Sequence, residues 1–298
     1  LKKENFLFVD GRYTIQAKIQ SGKFFKILEI PKFWPKDILK KYNKKLKLGF
    51  DPQLFTSNII KKHFKNYCKP CLVKVNFIDL VKKEKTINSV NLFYNLNNKI
   101  AGENLSSKIN RLIKKIKSKK IDNIFISAPE NVAWLLNLRG QDNPFSPLPN
   151  CKIILTKNKK IYFFSCPKKI KKIKKNKNYR NFKYCEYKEF SKVIRKLNGK
   201  NFCIDAATCS VSNETIIKSF FNITSNIDPC YMMKSVKNLT EIKNMKKAHI
   251  EDGLALTKFI FWIKNINKKK ITEIDAQNKL EKFRKINKNY LFPSFNTI

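Results

Sequence analysis

Twice in this chain a short apolar run ends on an aspartate and a helix-like segment with a polar head follows. The first version starts at Phe6-Leu-Phe-Val9 with Asp10. It continues through Lys47-Leu-Gly-Phe-Asp51, a helix-like 57–64 and Cys71-Leu-Val-Lys-Val75, and closes on Asp79. The second has Ile161-Tyr-Phe-Phe164, then Asn201-Phe-Cys-Ile-Asp205, a helix-like 212–221 and a closing Asp228. Apolar runs this short, without polar alternation, are strands buried on both faces, and a sheet buried on both faces needs helices to cover it. The chain is therefore expected in the α/β class, as mixed sheets with flanking helices, and the likeness of the two stretches suggests one plan used twice.

Between them lies a polar, Asn-rich stretch, read as a linker over 84–103, so the units are expected at 1–83 and 104–233. The second opens on a helix whose apolar face is Leu105, Ile109, Leu112, Ile113 and Ile116, with lysines on the other side. A strand over 121–126 and a short helix over 129–137, with Pro129 near its start, come next. The loop 138–149 holds three prolines, which remove donors and fix φ, and a hairpin should pair 151–155 with 161–164. From about 234 the pattern changes. Asn238 with Glu241 three positions on predicts a capped helix start. Ile242, Met245, His249, Asp252, Leu256, Phe259 and Ile263 then recur at helical spacing for nearly seven turns. A second helix is expected from Thr272, and 290–298 should be extended, interrupted by Pro293. This section, 234–298, reads as the opening of an α+β domain whose chemistry would lie further along, and its apolar stripe as unsupported without it.

Charge bears on partners. The formal net charge of +42 would suit a polyanion-binding module. Yet the arginines are few (Arg12, Arg111, Arg139, Arg180, Arg195 and Arg284), and base and phosphate recognition favours the arginine fork. Lysine is instead spread over every segment beside Asn, Ile and Phe, as a coding bias would leave it, so no nucleic-acid partner is expected. The longest apolar run falls well short of the ~18 residues of a membrane span, so no membrane partner is expected. Of eight cysteines only Cys68-Lys-Pro-Cys71 has metal or redox spacing. It lacks a second pair and precedes a strand-like run rather than opening a helix. Scattered free thiols suit a reducing compartment, and a cytoplasmic location is expected.

Little chemistry is visible in the residues themselves. The seven glycines do not cluster into a phosphate loop. Of the two histidines, His63 lies on a short basic segment, while His249 and Asp252 sit three apart on the long helix, close enough to touch. They read as a hydrogen bond at the helix rim or as two members of an incomplete metal set. Arg139 and Asp142 stand on the proline-punctuated loop, where they would serve a site, pair with each other or cap a helix end.

Eight strings in register resemble the cytosolic-type Xaa-Pro aminopeptidases, three-domain members of the pita-bread metallopeptidases. They are Phe8-Val-Asp-Gly-Arg-Tyr-Thr-Ile-Gln-Ala17, Leu48-Gly-Phe-Asp-Pro52, Ile126-Ser-Ala-Pro-Glu-Asn-Val-Ala-Trp-Leu-Leu-Asn-Leu-Arg-Gly140, Lys234-Ser-Val-Lys-Asn238, Glu241-Ile-Lys-Asn-Met-Lys-Lys-Ala-His-Ile-Glu-Asp-Gly-Leu-Ala-Leu256, Ile271-Thr-Glu-Ile-Asp-Ala276, Lys279-Leu-Glu-Lys-Phe-Arg284 and Phe292-Pro-Ser-Phe-Asn-Thr-Ile298. The resemblance implies the last part of one creatinase-like domain, the whole of a second, and the truncated start of a pita-bread catalytic domain. It also implies release of the N-terminal residue from peptides with proline at the second position. Two divalent ions, usually manganese, would be held by two Asp, one His and two Glu, and a homodimer is expected. None of those five ligands matches a position here, so the chain by itself is expected to bind no metal and to be inactive. The resemblance leaves Phe292 and Phe295 as candidates for a pocket wall, with Arg139 and Asp142 facing a cleft. A related pita-bread hydrolase or a metal-free pseudoenzyme is the alternative reading, and a basic polyanion-binding module the second.

Overall fold

The computed structural model describes residues 4–42, 46–81, 91–266 and 270–295. They divide into two compact units: the residues before position 87 together with Asp205–Ser219, and the remainder.

In the first unit Phe6–Asp10 pairs in parallel with Lys26–Ile30, and Lys47–Phe50 with Lys69–Leu72. The strand expected to begin at Cys71 starts two residues earlier, because Lys69 N–H bonds Leu46 and Val73 N–H bonds Phe50 across the pair. Cys71 therefore lies within a strand with Cys68 just before it, and both are free thiols. The helix Ser57–His63 is capped by Thr56, whose hydroxyl accepts from Ile59 N–H. Asp51 ends its strand as a turn-former, accepting from Gln53 N–H at 2.8 Å and from the Asn76 amide at 3.0 Å. The segment 205–219 packs here through Val211 N–H to Phe55 O, Ser212 N–H to Pro52 O and a Ser57–Glu214 hydrogen bond.

In the second unit one six-stranded mixed sheet runs in the order Lys183–Cys185, Ile161–Phe164, Lys152–Thr156, Asn123–Ile126, Asn201–Ile204, Asn222–Ser225. Lys152–Thr156 runs antiparallel to both its neighbours and the other three pairings are parallel, with the expected hairpin pairing Lys152 with Phe164. Alternation along the strands sorts residues onto two buried faces. Ile124, Ile126, Ile153, Leu155 and Phe163 join the main core with Leu112 and Ile116 of the helix Leu105–Ser118. On the same strands, Phe125 and Phe164 pack against Phe190 at ring distances of 5.1 and 5.3 Å. Apolar residues on both sides of each central strand are what produced the continuous apolar runs in the sequence.

Of the stretch expected as a linker, 84–90 lie outside the described residues. The rest holds Tyr94–Asn95, paired antiparallel with Leu138–Arg139, and a helix Asn98–Ala101. Asp228, expected to close the unit, instead caps a helix Pro229–Ser235 by accepting from Cys230 N–H at 2.9 Å. An Asp before a Pro at the first helical position is a helix start, and the sequence carried that signal.

The helix Leu239–Asn265 has the capping box expected at Asn238 and Glu241. Its first turns pack against Asn98–Ala101, with the Asn238 and Asn244 amides donating to Ala101 O and Ile100 O. Further along, Asp252 binds Arg284 of the helix Glu273–Lys285 at 2.6 Å. His249 and Asp252 do not bond each other; the His249 ring nitrogen lies 2.9 Å from Met245 O, within its own helix. Most of the long helix's apolar stripe is exposed, and Ala255 is its one buried residue among those described. The described residues of the terminal stretch, 290–295, form no strand.

Candidate functional site

The loop 138–149 is anchored at both ends. Arg139 lies in the short strand paired with Tyr94–Asn95, and Gly140 N–H bonds Pro147 O at 3.2 Å. A Cβ on Gly140 would come within 2.8 Å of the Pro149 backbone, so only glycine permits this closure. Asp142 accepts from Asn150 N–H at 2.6 Å and forms an ion pair with Lys169, whose side chain is 13% exposed against 6% for the aspartate. Arg139 turns the other way. Its Nη1 donates to Ala133 O at 3.0 Å and Leu138 O at 2.8 Å, which makes it a cap for the helix Pro129–Leu135. Arg139 and Asp142 are therefore not partners, and the arginine meets the helix end.

Arg139 also lines a cavity of about 310 Å³, whose walls include Ile100, Lys108, Trp134, Glu241 and Met245. Lys108 is 1% exposed. Its ammonium donates to Trp134 O at 3.0 Å and Asn137 Oδ1 at 2.7 Å, and lies 4.4 Å over the Trp134 ring. Asn137 adopts a left-handed φ of 50° to end the helix, and its amide donates to Glu103 O. Burial pulls the Lys108 pKa down to about 8, against the pull of Glu241 and Glu103 in the other direction. Burial also lowers the Arg139 pKa, opposed by Tyr94, Tyr179 and Glu241. The Trp134 indole Nε1 is buried without a hydrogen-bond partner.

Sequence reasoning missed Lys108 by assigning the lysines of its helix to the solvent face. The signal was present: Leu105, Lys108, Ile109 and Leu112 share one helical stripe, so Lys108 had to point inward with its apolar neighbours. Of the other candidates, Phe292 is half-buried and Phe295 is 67% exposed, both beyond the last helix. Among the described residues no three His, Cys, Asp or Glu side chains gather as a metal ion would need. The described residues do not present the donor set of a two-metal centre.

The creatinase/prolidase N-terminal domain matches residues 83–241, more than half of the chain. The chain belongs to this family. Similar proteins extend the likeness to nearly the whole chain. Xaa-Pro aminopeptidase 1 of Dictyostelium discoideum is 28% identical over 316 residues, covering 98% of this chain and 50% of that protein. A probable Xaa-Pro aminopeptidase P of Laccaria bicolor is 27% identical, covering 98% of this chain and 48% of its own length. The chain thus spans about half the length of the curated relatives it matches. Among solved structures, the X-prolyl aminopeptidase of Caenorhabditis elegans superposes with a TM-score of 0.86 at 24% identity, over 99% of this chain and 51% of that one. That protein is described as a cytosolic enzyme with a di-nuclear active site. The superposition fixes the fold: creatinase-like mixed α/β units, as the sequence led one to expect. No helix among the described residues is long and apolar enough to cross a membrane.

Proposed function

We propose that this chain is the creatinase-like part of an Xaa-Pro aminopeptidase, which releases the N-terminal residue of peptides with proline in second position, and that hydrolysis needs residues beyond these 298. The observation that carries the reading is similarity to proteins of that name over 98% of the chain. The chain spans only 50% and 48% of those two relatives, which supports placing the chemistry elsewhere. In this reading two divalent ions, manganese by preference, serve the complete protein. They lower the pKa of a bound water and polarise the scissile carbonyl. The complete protein works in the cytoplasm as a homodimer. Phe292 and Phe295 contribute to the pocket wall, and the loop braced by Asp142 and Lys169 faces the cleft.

The test is hydrolysis of an Arg-Pro-Pro peptide with and without added manganese, by the 298-residue chain and by the complete product of the gene encoding it. Release of arginine is expected only from the complete product, and only with the metal. A complete product inert on such peptides overturns the aminopeptidase reading. Cleavage by the 298-residue chain overturns the placement of the hydrolytic step.

A further inference from the structure

Of the seven glycines only Gly199 follows an asparagine. A backbone amide can attack the side chain of the asparagine before it, and glycine, having no Cβ, leaves its nitrogen open to approach. Whether a folded chain permits the attack depends on how freely the two groups can meet. Asn198 and Gly199 are both exposed, in the coil between the helix Phe190–Arg195 and the strand Asn201–Ile204. Among the described residues neither the Gly199 N–H nor the Asn198 side-chain amide has a hydrogen-bond partner. The Asn198 carbonyl accepts from Asn123 Nδ2 at 3.0 Å, a bond that ties down the main chain and not the side chain. Two other glycines follow an aspartate, and there the acid is engaged. Asp10 holds Arg12, and Asp252 holds Arg284 from within the helix Leu239–Asn265, where Gly253 also lies. Gly199, moreover, cannot give way to a residue that would shield its nitrogen. Its φ is +112°, and an added Cβ would come within 2.5 Å of Asp122 Cβ. Packing against Asp122 thus keeps a reactive pair at the surface.

We propose that Asn198-Gly199 is a site of spontaneous covalent modification, at which the asparagine becomes aspartate or isoaspartate. The Gly199 nitrogen attacks Asn198 Cγ and gives up its proton. A bond forms between that nitrogen and Cγ, the Cγ–Nδ2 bond breaks, and Nδ2 leaves with the proton as ammonia. Water then opens the cyclic imide. Attack at Cγ restores the main chain and leaves aspartate. Attack at the backbone carbonyl carbon routes the chain through Cγ and leaves isoaspartate. The sum consumes water, releases ammonia and needs no oxidant or reductant. The two products differ in what they do to the fold. Lys200 N–H and Asn201 N–H both donate to Asp122 Oδ2, at 2.8 and 3.0 Å, and Asp122 N–H donates back to Asn201 O. These bonds hold the start of Asn201–Ile204, which lies between Asn123–Ile126 and Asn222–Ser225 in the sheet. Isoaspartate lengthens the backbone just before them and pushes the two donors off their shared oxygen, whereas aspartate adds charge alone. This inference stands on the chain's own residues and is independent of the peptidase reading.

The experiment incubates the whole folded chain at mildly alkaline pH and follows its tryptic peptides by mass spectrometry against an unincubated sample. Cleavage after Lys196 and Lys200 gives the peptide 197–200, in which Asn198 is the one asparagine. The expected result is that the acid form of this peptide accumulates ahead of the acid form of every other asparagine-bearing peptide. Isoaspartate and aspartate, separated by chromatography, should both be present. Asn198→Gln, whose longer side chain closes a larger ring, should abolish the gain. The acidic form of the incubated chain, isolated by ion exchange, should unfold at lower urea than Asn198→Asp, because only the former contains the longer backbone. The proposal is overturned if the peptide 197–200 stays unchanged while other asparagines convert. It is equally overturned if Asn198 converts only after the chain is unfolded in urea. An acidic form as stable as Asn198→Asp overturns the isoaspartate outcome.

Discussion

The sharpest consequence of burying Lys108 is a pH dependence of stability with an unusual sign. Its pKa falls from an ordinary 10.5 in the unfolded chain to about 8 in the folded one, chiefly because burial strips water from the ammonium. Below pH 8 both states hold the proton, the full cost of the buried charge is present, and the term does not vary. Between about 8 and 10.5 the native state has released its proton and the unfolded state has not. Stability rises with pH wherever the unfolded state binds more protons, so this group makes the fold more stable across that window. Above it the term is flat again. A shift of this size corresponds to on the order of 3 kcal/mol. Other lysines titrate in the same range, so the measurement is a difference: urea unfolding of the parent and of Lys108→Met, at intervals from pH 7 to 11. The parent's stability relative to the variant should climb by about that amount between pH 8 and 10.5. A flat difference, or a climb confined to pH above 10, would refute the burial argument.

Other perturbations test the frame around the cavity. Asp142→Ala leaves the Lys169 ammonium buried without its carboxylate and should cost about 3–5 kcal/mol in urea unfolding; adding Lys169→Met should recover part of it. Gly102→Ala should lose about 2 kcal/mol or more, because φ is +71° and the new Cβ would strike the Asn238 side chain that caps the long helix. Arg284→Ala removes an ion pair whose Asp252 is half exposed, so thermal unfolding should register less than about 1 kcal/mol.

What could be read in advance was whatever is encoded locally. The central strands at 123–126, 152–156, 161–164 and 201–204 are apolar on both faces, and that shows in the run itself. Asn238 with Glu241, and Thr272, were legible because a cap acts within three residues. The missed strands are those held by a partner rather than by their own composition. Asn222–Ser225 is a polar edge strand that exists through its register with Asn201–Ile204. Lys183–Cys185 has three residues, and Lys26–Ile30 carries charges at Lys26 and Glu29. None of the three offers a periodicity to count. The roles of Arg139 and Asp142 were undecidable for the same reason: their partners, Ala133 O and Lys169, are selected by the folded loop and not by spacing.

Lys108 shows why the candidate site was the least legible part. Its helix was read correctly, and its place in the apolar stripe was countable, yet a lysine on that stripe is unfavourable unless acceptors await it. Those acceptors exist only because Pro129–Leu135 ends inside the protein, where Asn137 turns left-handed and the last carbonyls must be satisfied from elsewhere. Three side chains answer them, two of them from distant parts of the sequence: Lys108 at Trp134 O, Arg139 at Ala133 O, and the Tyr179 hydroxyl at Leu136 O, 2.8 Å away. Had donor satisfaction been the only requirement, neutral hydroxyls such as Tyr179 would have met it without burying charge. Two cations meet carbonyls of one helix end, and no count of helical spacing could have placed both there.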